Sequence, residues 1–446
     1  MEKNQLSRRY FLEKTALIGA AGLAGISALN SCGKKSKAVD YDFPPLYDKA
    51  PDGKKLRAGL VGCGNRGTGA AFNFLEAGND LELVALADVF SDKVEDCRSK
   101  LQKQKVEIPE SNCFWGFDAY KKLLDVDLDV VILATPPHFR PEHFDACVQA
   151  KKHVFLEKPV AVDPVGARQI IATAKKAENM GLTVITGTQR RHQADYLETY
   201  RQVASGAIGE ITSAKAWWLQ THVWFRTREE GWSDMEYMLR NWNNFCWLCG
   251  DHILDTHVHN IDIINWFVGK HPESAIGFGG RHRRLTGDQY DFFSIDFEYG
   301  NGLSSHSMSR QIDGCANTLG ELIVGTDGYT NCKNTVFNLD GSVKWKYEYP
   351  KNKDGKSSEV VKISPYVQEH IHLVTAIRTN TPVVEAERTA ISTLTAIMGR
   401  TAAYTGQKVE WEQMMNSPER LGPATYEMGP VAMDFPTPIP GIQHKE

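Results

Sequence analysis

The chain has 446 residues, 42% apolar and 24% charged, with a formal net charge of −4. This is an ordinary globular composition, long enough for two domains. It offers no electrostatic case for a nucleic-acid partner, because the charge is near neutral and no long basic tract occurs.

The amino terminus reads as a leader. Arg8 and Arg9 precede a weakly hydrophobic run over residues 16–29 that is too short to span a bilayer. Paired arginines before such a run predict export of an already folded protein by the twin-arginine route. Leu29-Asn30-Ser31-Cys32 has the form of a lipobox, which makes Cys32 a candidate membrane lipid anchor, although Asn30 is larger than the usual residue there. Residues 1–32 are therefore read as signal and residues 33–54, rich in Lys, Asp and Pro, as linker. The other eight cysteines are irregularly spaced, and export after folding in a reducing compartment predicts free thiols.

From Leu56 strands and helices alternate. Strands are expected at 56–61, 81–87, 130–134, 153–156 and 182–186. Helices are expected from the glycine loop to about 76, then over 92–104, 117–124, 141–151 and 163–180. Alternation of this kind implies a doubly wound parallel sheet, an α/β domain spanning residues 55–187. Beyond it lies a helix around 195–205 and a segment, 217–266, that holds seven of the ten tryptophans. Alternation by twos then predicts strands at 274–279, 290–299, 303–309 and 321–324. Gly300-Asn301-Gly302 and Asp327-Gly328 mark turns. Helical periodicity returns at 368–378 and 388–405, before an irregular tail over 418–441. Residues 188–446 are thus an α+β domain with a mainly antiparallel sheet.

Chemistry concentrates at four places. Gly62-Cys63-Gly64-Asn65-Arg66-Gly67 follows a strand, opens a helix and has Asp88 about twenty residues on. That context is the dinucleotide fingerprint: a tight turn, close approach to a pyrophosphate, and an acid for the ribose hydroxyls that disfavours a 2′-phosphate. The cofactor implied is NAD. Thr135-Pro136-Pro137-His138 follows the strand from Val130, and His138 and His143 either approach the nicotinamide ribose or are loop histidines. Glu157-Lys158-Pro159 ends the next strand on the same edge, where a lysine can hold a substrate hydroxyl and stabilise the developing alkoxide. Finally, Asp251 to Asp262 is dense in acids and imidazoles. If it is one helix, Asp255 and His259 lie one turn apart, His259 being the general base and Asp255 its orienting partner. His252 extends that face, and His257 falls on the other. A metal there is a weaker reading, since no HExxH spacing occurs.

These motifs resemble, in order and spacing, the Gfo/Idh/MocA family of oxidoreductases over about residues 56–411. The resemblance implies an N-terminal Rossmann domain and a C-terminal domain whose open sheet often mediates oligomers, a dimer or tetramer here. It implies that Lys158 and His259 are catalytic with Asp255 as helper, that the bond before Pro159 is cis, and that the substrate is a carbohydrate. The extra His252 and His257 depart from the commoner pattern and join the candidate substrate set with Arg190, Arg191, His222, Trp224, Arg226 and Trp242. Indole faces suit the C–H faces of sugar rings. Three activities remain open: a sugar or glycoside dehydrogenase with tightly held NAD, a redox-neutral NAD-dependent glycosidase, and a non-catalytic sugar-binding lipoprotein. Cofactor outside the cytoplasm is not replaced once lost. Residues 39–54, with Tyr41, Phe43 and Tyr47, are the expected extra cover over it.

Overall fold

β1 (Leu56–Val61) and β4 (Val130–Leu133) are apolar and buried almost throughout, as strands covered by helices on both faces must be. In the computed structural model, which describes residues 45–350, 362–431 and 436–442, they lie at the centre of a six-stranded parallel sheet. The chain runs β1, α1 (Asn65–Glu76), β2 (Leu81–Asp88), α2 (Ser91–Lys103), β3 (Cys113–Trp115), α3 (Ala119–Leu124), β4, α4 (Arg140–Gln149), β5 (His153–Leu156), α5 (Pro164–Asn179) and β6 (Val184–Thr186). Strand order is β3-β2-β1-β4-β5-β6. The winding direction reverses between β1 and β4, which opens a crevice beyond the carboxyl ends of the strands. Val61 pairs with Ala87 and Leu133, and Leu133 with Leu156. The residues at or just beyond the carboxyl ends of these strands, Gly62, Asp88, Thr135 and Glu157, therefore share one edge. β3 has only three residues, too few to show a period, and sequence patterning misses it.

After α6 (Ala194–Ala204), β7 (Ile211–Gln220) enters a second sheet, which patterning also misses because the tryptophans of this stretch obscure its alternation. Three short helices and one longer one follow: α7 (Asp234–Arg240), α8 (Cys246–Cys249), α9 (His252–Asp255) and α10 (Val258–Val268). The sheet is completed by β8 (Ser274–Gly280), β9 (Phe292–Glu298), β10 (Ser304–Gln311), β11 (Thr318–Gly325), β12 (Tyr329–Thr330), β13 (Thr335–Phe337), β14 (Val343–Lys346) and, after α11 (Pro365–Arg378) and α12 (Ala386–Thr405), β15 (Val409–Glu410); α13 (Trp411–Asn416) follows. Its order is β14-β13-β12-β11-β7-β10-β9-β8-β15, antiparallel except for the β7–β10 pair. Gly300, Asn301 and Gly302 all have positive φ and turn β9 into β10.

Ala216, Ile295, Phe297 and Ile323 on one face of this sheet share a core with Ile261 and Ile264 of α10 and Leu394 and Ile397 of α12. α11 crosses back: Val367, Ile371 and Val374 sit in the same core as Leu60, Phe74 and Phe155 of the first sheet. The eight cysteines after Cys32 are free thiols. Residues 45–54 do not reach the crevice. Ala50 N–H donates to Ala77 at the far end of α1, and Arg378 donates to Pro51 (2.7 Å). Tyr47 is exposed, while Tyr41, Phe43 and Cys32 lie outside the described residues.

Candidate active site

Gly62 has φ +100°, and a side chain there would meet the Ala134 backbone at 2.6 Å. A Cβ on Gly67 would lie 1.8 Å from the Gly62 carbonyl, so only glycine lets α1 pack this close to β1. Gly64 has no atom within 4 Å of its would-be Cβ and faces open space. The first turn of α1 carries no acidic side chain, leaving its amide dipoles free for an anion. Asp88 accepts from the N–H groups of Cys63 (2.7 Å) and Phe90 (3.0 Å), which fixes its carboxylate at the rim. Burial raises its pKa, and the two backbone donors oppose that. These features line a cavity of about 630 Å³ together with Asn65, Arg66, Thr135, Pro136 and His143. A glycine cradle at a helix start and an anchored acid on one cleft are what a dinucleotide requires, so the residues fit NAD.

Three residues of the expected cofactor set, His138, Glu157 and Lys158, do not line the cleft. His138 bonds the Tyr426 hydroxyl (2.7 Å) and packs edge-on against Trp247, beneath the C-terminal tail. Glu157 is buried and pairs with Arg66 at 2.5 Å. His143 does line the cleft, sharing a hydrogen bond of 3.2 Å with Thr135. Burial holds both imidazoles at a pKa of about 3 and hence neutral.

The second half of the chain roofs the cleft, a feature no local motif announces. Trp224, Phe225, Arg226, Leu239, Arg240 and Trp242 line it. Arg240 donates to both oxygens of Asp92 (2.9 and 3.1 Å), and its guanidinium lies 3.9 Å over the Phe90 ring. Phe90 in turn belongs to an apolar cluster with Met235, Leu239 and Trp247, against which Leu421, Tyr426 and Val431 of the tail pack. Trp224, Arg226 and Trp242 are thus cover for the nucleotide cleft. Arg226 also donates its N–H to Asn241 (2.8 Å).

Lys158 precedes a cis bond to Pro159 and donates through Nζ to the Asp255 carbonyl. Burial lowers its pKa, while Asp255 and Glu157 pull it back up. The expected continuous helix is instead broken. Asp251 has φ +76°, α9 ends at Asp255, and His257 N–H reaches back five residues to His252 (3.1 Å) before α10 begins. The break places Asp255 and His259 in different helices, and no hydrogen bond joins them among the described residues. Its carboxylate accepts from Asn243 (2.8 Å), and it acts on Lys158 through its backbone carbonyl. His259 is nearly buried, its ring stacked on Trp218 at 5.9 Å, and its Nδ1 has no hydrogen-bond partner among the described residues. Burial, then the charges of Lys158, Arg190 and Arg66, drive its pKa well below the usual histidine value. It is a neutral imidazole able to accept a proton.

The remaining candidates are largely structural. Arg190 pairs with buried Glu321 and lies 5.3 Å over Trp218, behind the His259 ring. Arg191 is clamped to Asp262 at 2.7 and 2.9 Å. His252 spans Asp251 (3.0 Å) and Ser309 (3.1 Å), and His257 bonds Ser307 (2.7 Å), which ties α9 and α10 to β10. His222 is half-buried and accepts from Arg284 at 3.1 Å. Sequence reading missed Asn243, Arg240 and Arg284, whose partners lie 12 to 148 residues away. Among the described residues no cluster of three His, Cys, Asp or Glu side chains is arranged for a metal ion.

A doubly wound dinucleotide fold joined to an open sheet, with a lysine and a neutral histidine beside the cleft, defines a nucleotide-dependent oxidoreductase class. Residues 56–186 match the model described as oxidoreductase family, NAD-binding Rossmann fold, and residues 196–330 match the Gfo/Idh/MocA C-terminal domain. The chain belongs to the Gfo/Idh/MocA family of oxidoreductases and binds NAD. It is 26% identical over 225 residues to myo-inositol 2-dehydrogenase of Thermotoga maritima, covering 50% of this chain and 58% of that protein. It is 32% identical over 164 residues to D-glucoside 3-dehydrogenase of Escherichia coli, covering 36% and 43%. The chain thus spans about half the length of these curated relatives. Scyllo-inositol dehydrogenase of Lactobacillus casei, solved with NAD(H) and scyllo-inositol, shares the fold with a TM-score of 0.60 at 18% identity, over 80% of this chain and all of that one.

Proposed function

We propose that the protein oxidises a hydroxyl of a sugar or glycoside, with NAD held tightly in the roofed cleft. The observation that carries this reading is the neutral, buried His259 within the field of the Lys158 ammonium, beside a dinucleotide cleft. Lys158 donates a charged hydrogen bond to the reacting oxygen, and His259 accepts the hydroxyl proton. NAD, when bound, supplies the hydride acceptor. Asp255, fixed by Asn243, positions Lys158 rather than His259. Tight retention is supported by residues of the 224–242 stretch that line the cleft and by the tail that packs against the apolar cluster beneath them.

The reading extends to export by the twin-arginine route and lipid attachment at Cys32, supported by the leader sequence. Oligomerisation, a dimer or tetramer, is supported by the outer face of the second sheet, where Ile276 and Phe278 are 50% and 64% exposed. The test is product analysis with the purified protein and a panel of inositols and alkyl glucosides. A keto-sugar with no added cofactor supports the proposal. Release of the alkyl group without ketone would assign the redox-neutral glycosidase, and binding without chemistry would assign a sugar-binding lipoprotein.

A further inference from the structure

Arg66 sits in the glycine loop, and its guanidinium serves two carboxylates: Glu157 at 2.5 Å and Glu369 of α11 at 3.7 Å. The Tyr366 ring lies 5.0 Å from it. Glu369 is wholly buried, and neither of its oxygens accepts a hydrogen bond among the described residues. Glutamine or methionine would fill this position at lower cost, since a buried carboxyl without hydrogen bonds is expensive. Nothing in the packing of α11, which already buries Val367, Ile371 and Val374, calls for an acid.

The charges that face Glu369 come from four elements. Arg66 is on α1, Glu157 and Lys158 end β5, Glu385 precedes α12, and Tyr366 and His370 share α11. Glu385 is committed to Arg388 and His192, and His370 packs against Phe155 as a neutral ring. The Arg66 guanidinium therefore lies between two carboxylates, with the Lys158 ammonium in electrostatic range of both, at the base of the loop that receives the cofactor. Burial raises the pKa of Glu369 well above the usual carboxylate range and Glu157 and Glu385 add to this, while Arg66 and Lys158 oppose it.

We propose that Glu369 compensates charge during hydride transfer: it is ionised while the bound cofactor is oxidised and takes up a proton when the cofactor is reduced. The oxidised nicotinamide is cationic, and its reduction removes that positive charge from a region of low dielectric. Proton uptake at Glu369 removes one negative charge at the same time, so the buried region keeps its net charge. The step balances. The substrate C–H gives a hydride to the cofactor and its O–H gives a proton, through His259, to water, while water returns one proton to Glu369. The net change is alcohol, oxidised cofactor and carboxylate to carbonyl, reduced cofactor and carboxylic acid. Glu369 touches neither substrate nor reacting atoms and is a positioning residue for charge.

The inference rests on the cleft holding NAD, and the experiment separates the two. The holoprotein is titrated with redox mediators at several pH values, and the bound reduced-to-oxidised cofactor ratio is read by absorbance at fixed potential. Two electrons with two protons make that ratio fall about a hundredfold per pH unit, where the cofactor's own single proton makes it fall about tenfold. Wild type is expected to show the steep dependence over part of the range from about pH 6 to about pH 9. Glu369→Gln should fall tenfold throughout, and Glu369→Asp should restore steepness. Should Glu369→Gln fail to hold cofactor, infrared difference spectra of the wild type serve instead. Reduction must raise a protonated-carboxyl band, and that band must shift in Glu369→Asp. A tenfold fall at every pH in wild type, or a silent infrared difference, overturns the role of Glu369 alone. A folded protein that binds no cofactor overturns both readings.

Discussion

Asn243, in the stretch that roofs the nucleotide cleft, donates a 2.8 Å hydrogen bond to the Asp255 carboxylate, while the Asp255 carbonyl accepts from the Lys158 ammonium. Its neighbour Trp242 lines the cleft. The cover over the cleft and Lys158 are therefore linked through Asp255 and one side chain. Asn243→Ala should leave the part-buried Asp255 carboxylate short of a donor, costing about 1 kcal/mol. Turnover is expected to fall more than substrate KM rises, which steady-state kinetics and a melting curve on the same preparation will show.

Arg240 is the other fastening of the roof. Its pairing with half-exposed Asp92 is screened by solvent and contributes little, but the guanidinium over Phe90 is sheltered. Arg240→Ala should speed loss of bound NAD about tenfold, equivalent to ~1.4 kcal/mol, with little change in melting temperature. Cofactor retained on a desalting column over time measures it. Unchanged retention would place the hold on the cofactor elsewhere.

Arg191 separates a structural from a substrate role. Both oxygens of buried Asp262 are paired with it, so Arg191→Ala leaves a buried carboxylate without its counter-charge, held among the described residues only by the Ser392 hydroxyl, and should cost about 3 kcal/mol of stability. Chemical denaturation checks this. A stable variant with only a raised KM would return Arg191 to the substrate.

What the sequence discloses and what it conceals divide along the distance between partners. The glycine fingerprint and Asp88 are legible because a strand, a turn and a helix start require those residue types within one βαβ unit. The Asp255–His259 spacing is legible too, but its meaning is not. The helix stops at Asp255 and restarts at Val258, and the Asp255 carboxylate is held by Asn243. Arg190 and Arg191 look like free hydrogen-bond donors until their partners, Glu321 and Asp262, arrive from β11 and α10. β7 is concealed by its tryptophans, and the roof, assembled from residues 224–242 and the tail, has no local signature. Residues 45–54 carry Tyr47, one of the aromatics expected to cover the ligand, yet hydrogen bonds to Ala77 and Arg378 hold this stretch at the opposite edge.

Buried neutral histidines predict acid lability. His138, His143, His257 and His372 are each held by burial at a pKa of about 3. The unfolded chain binds protons at these rings below its ordinary value of about 6.5, whereas the folded chain does not. Their contribution is complete above that pH and is lost as pH falls from it toward 3, at up to about 1.4 kcal/mol per pH unit for each ring. Melting temperatures between about pH 7 and about pH 4 should fall steeply, and His372→Gln should flatten the fall.

The central claim is that Lys158 and His259 drive hydride transfer from a sugar carbon to a cofactor the protein already holds. The most direct measurement is a single turnover with alkyl glucosides and inositols deuterated on the ring carbons and no added cofactor, followed by mass spectrometry of the nicotinamide released on denaturation. Deuterium on that nicotinamide is expected with the wild-type protein, formed at least 10²-fold more slowly by Lys158→Met and His259→Ala, both still folded and loaded. Label transfer at the wild-type rate in either variant, or its absence from a wild-type protein that binds the sugar and contains NAD, would contradict the account.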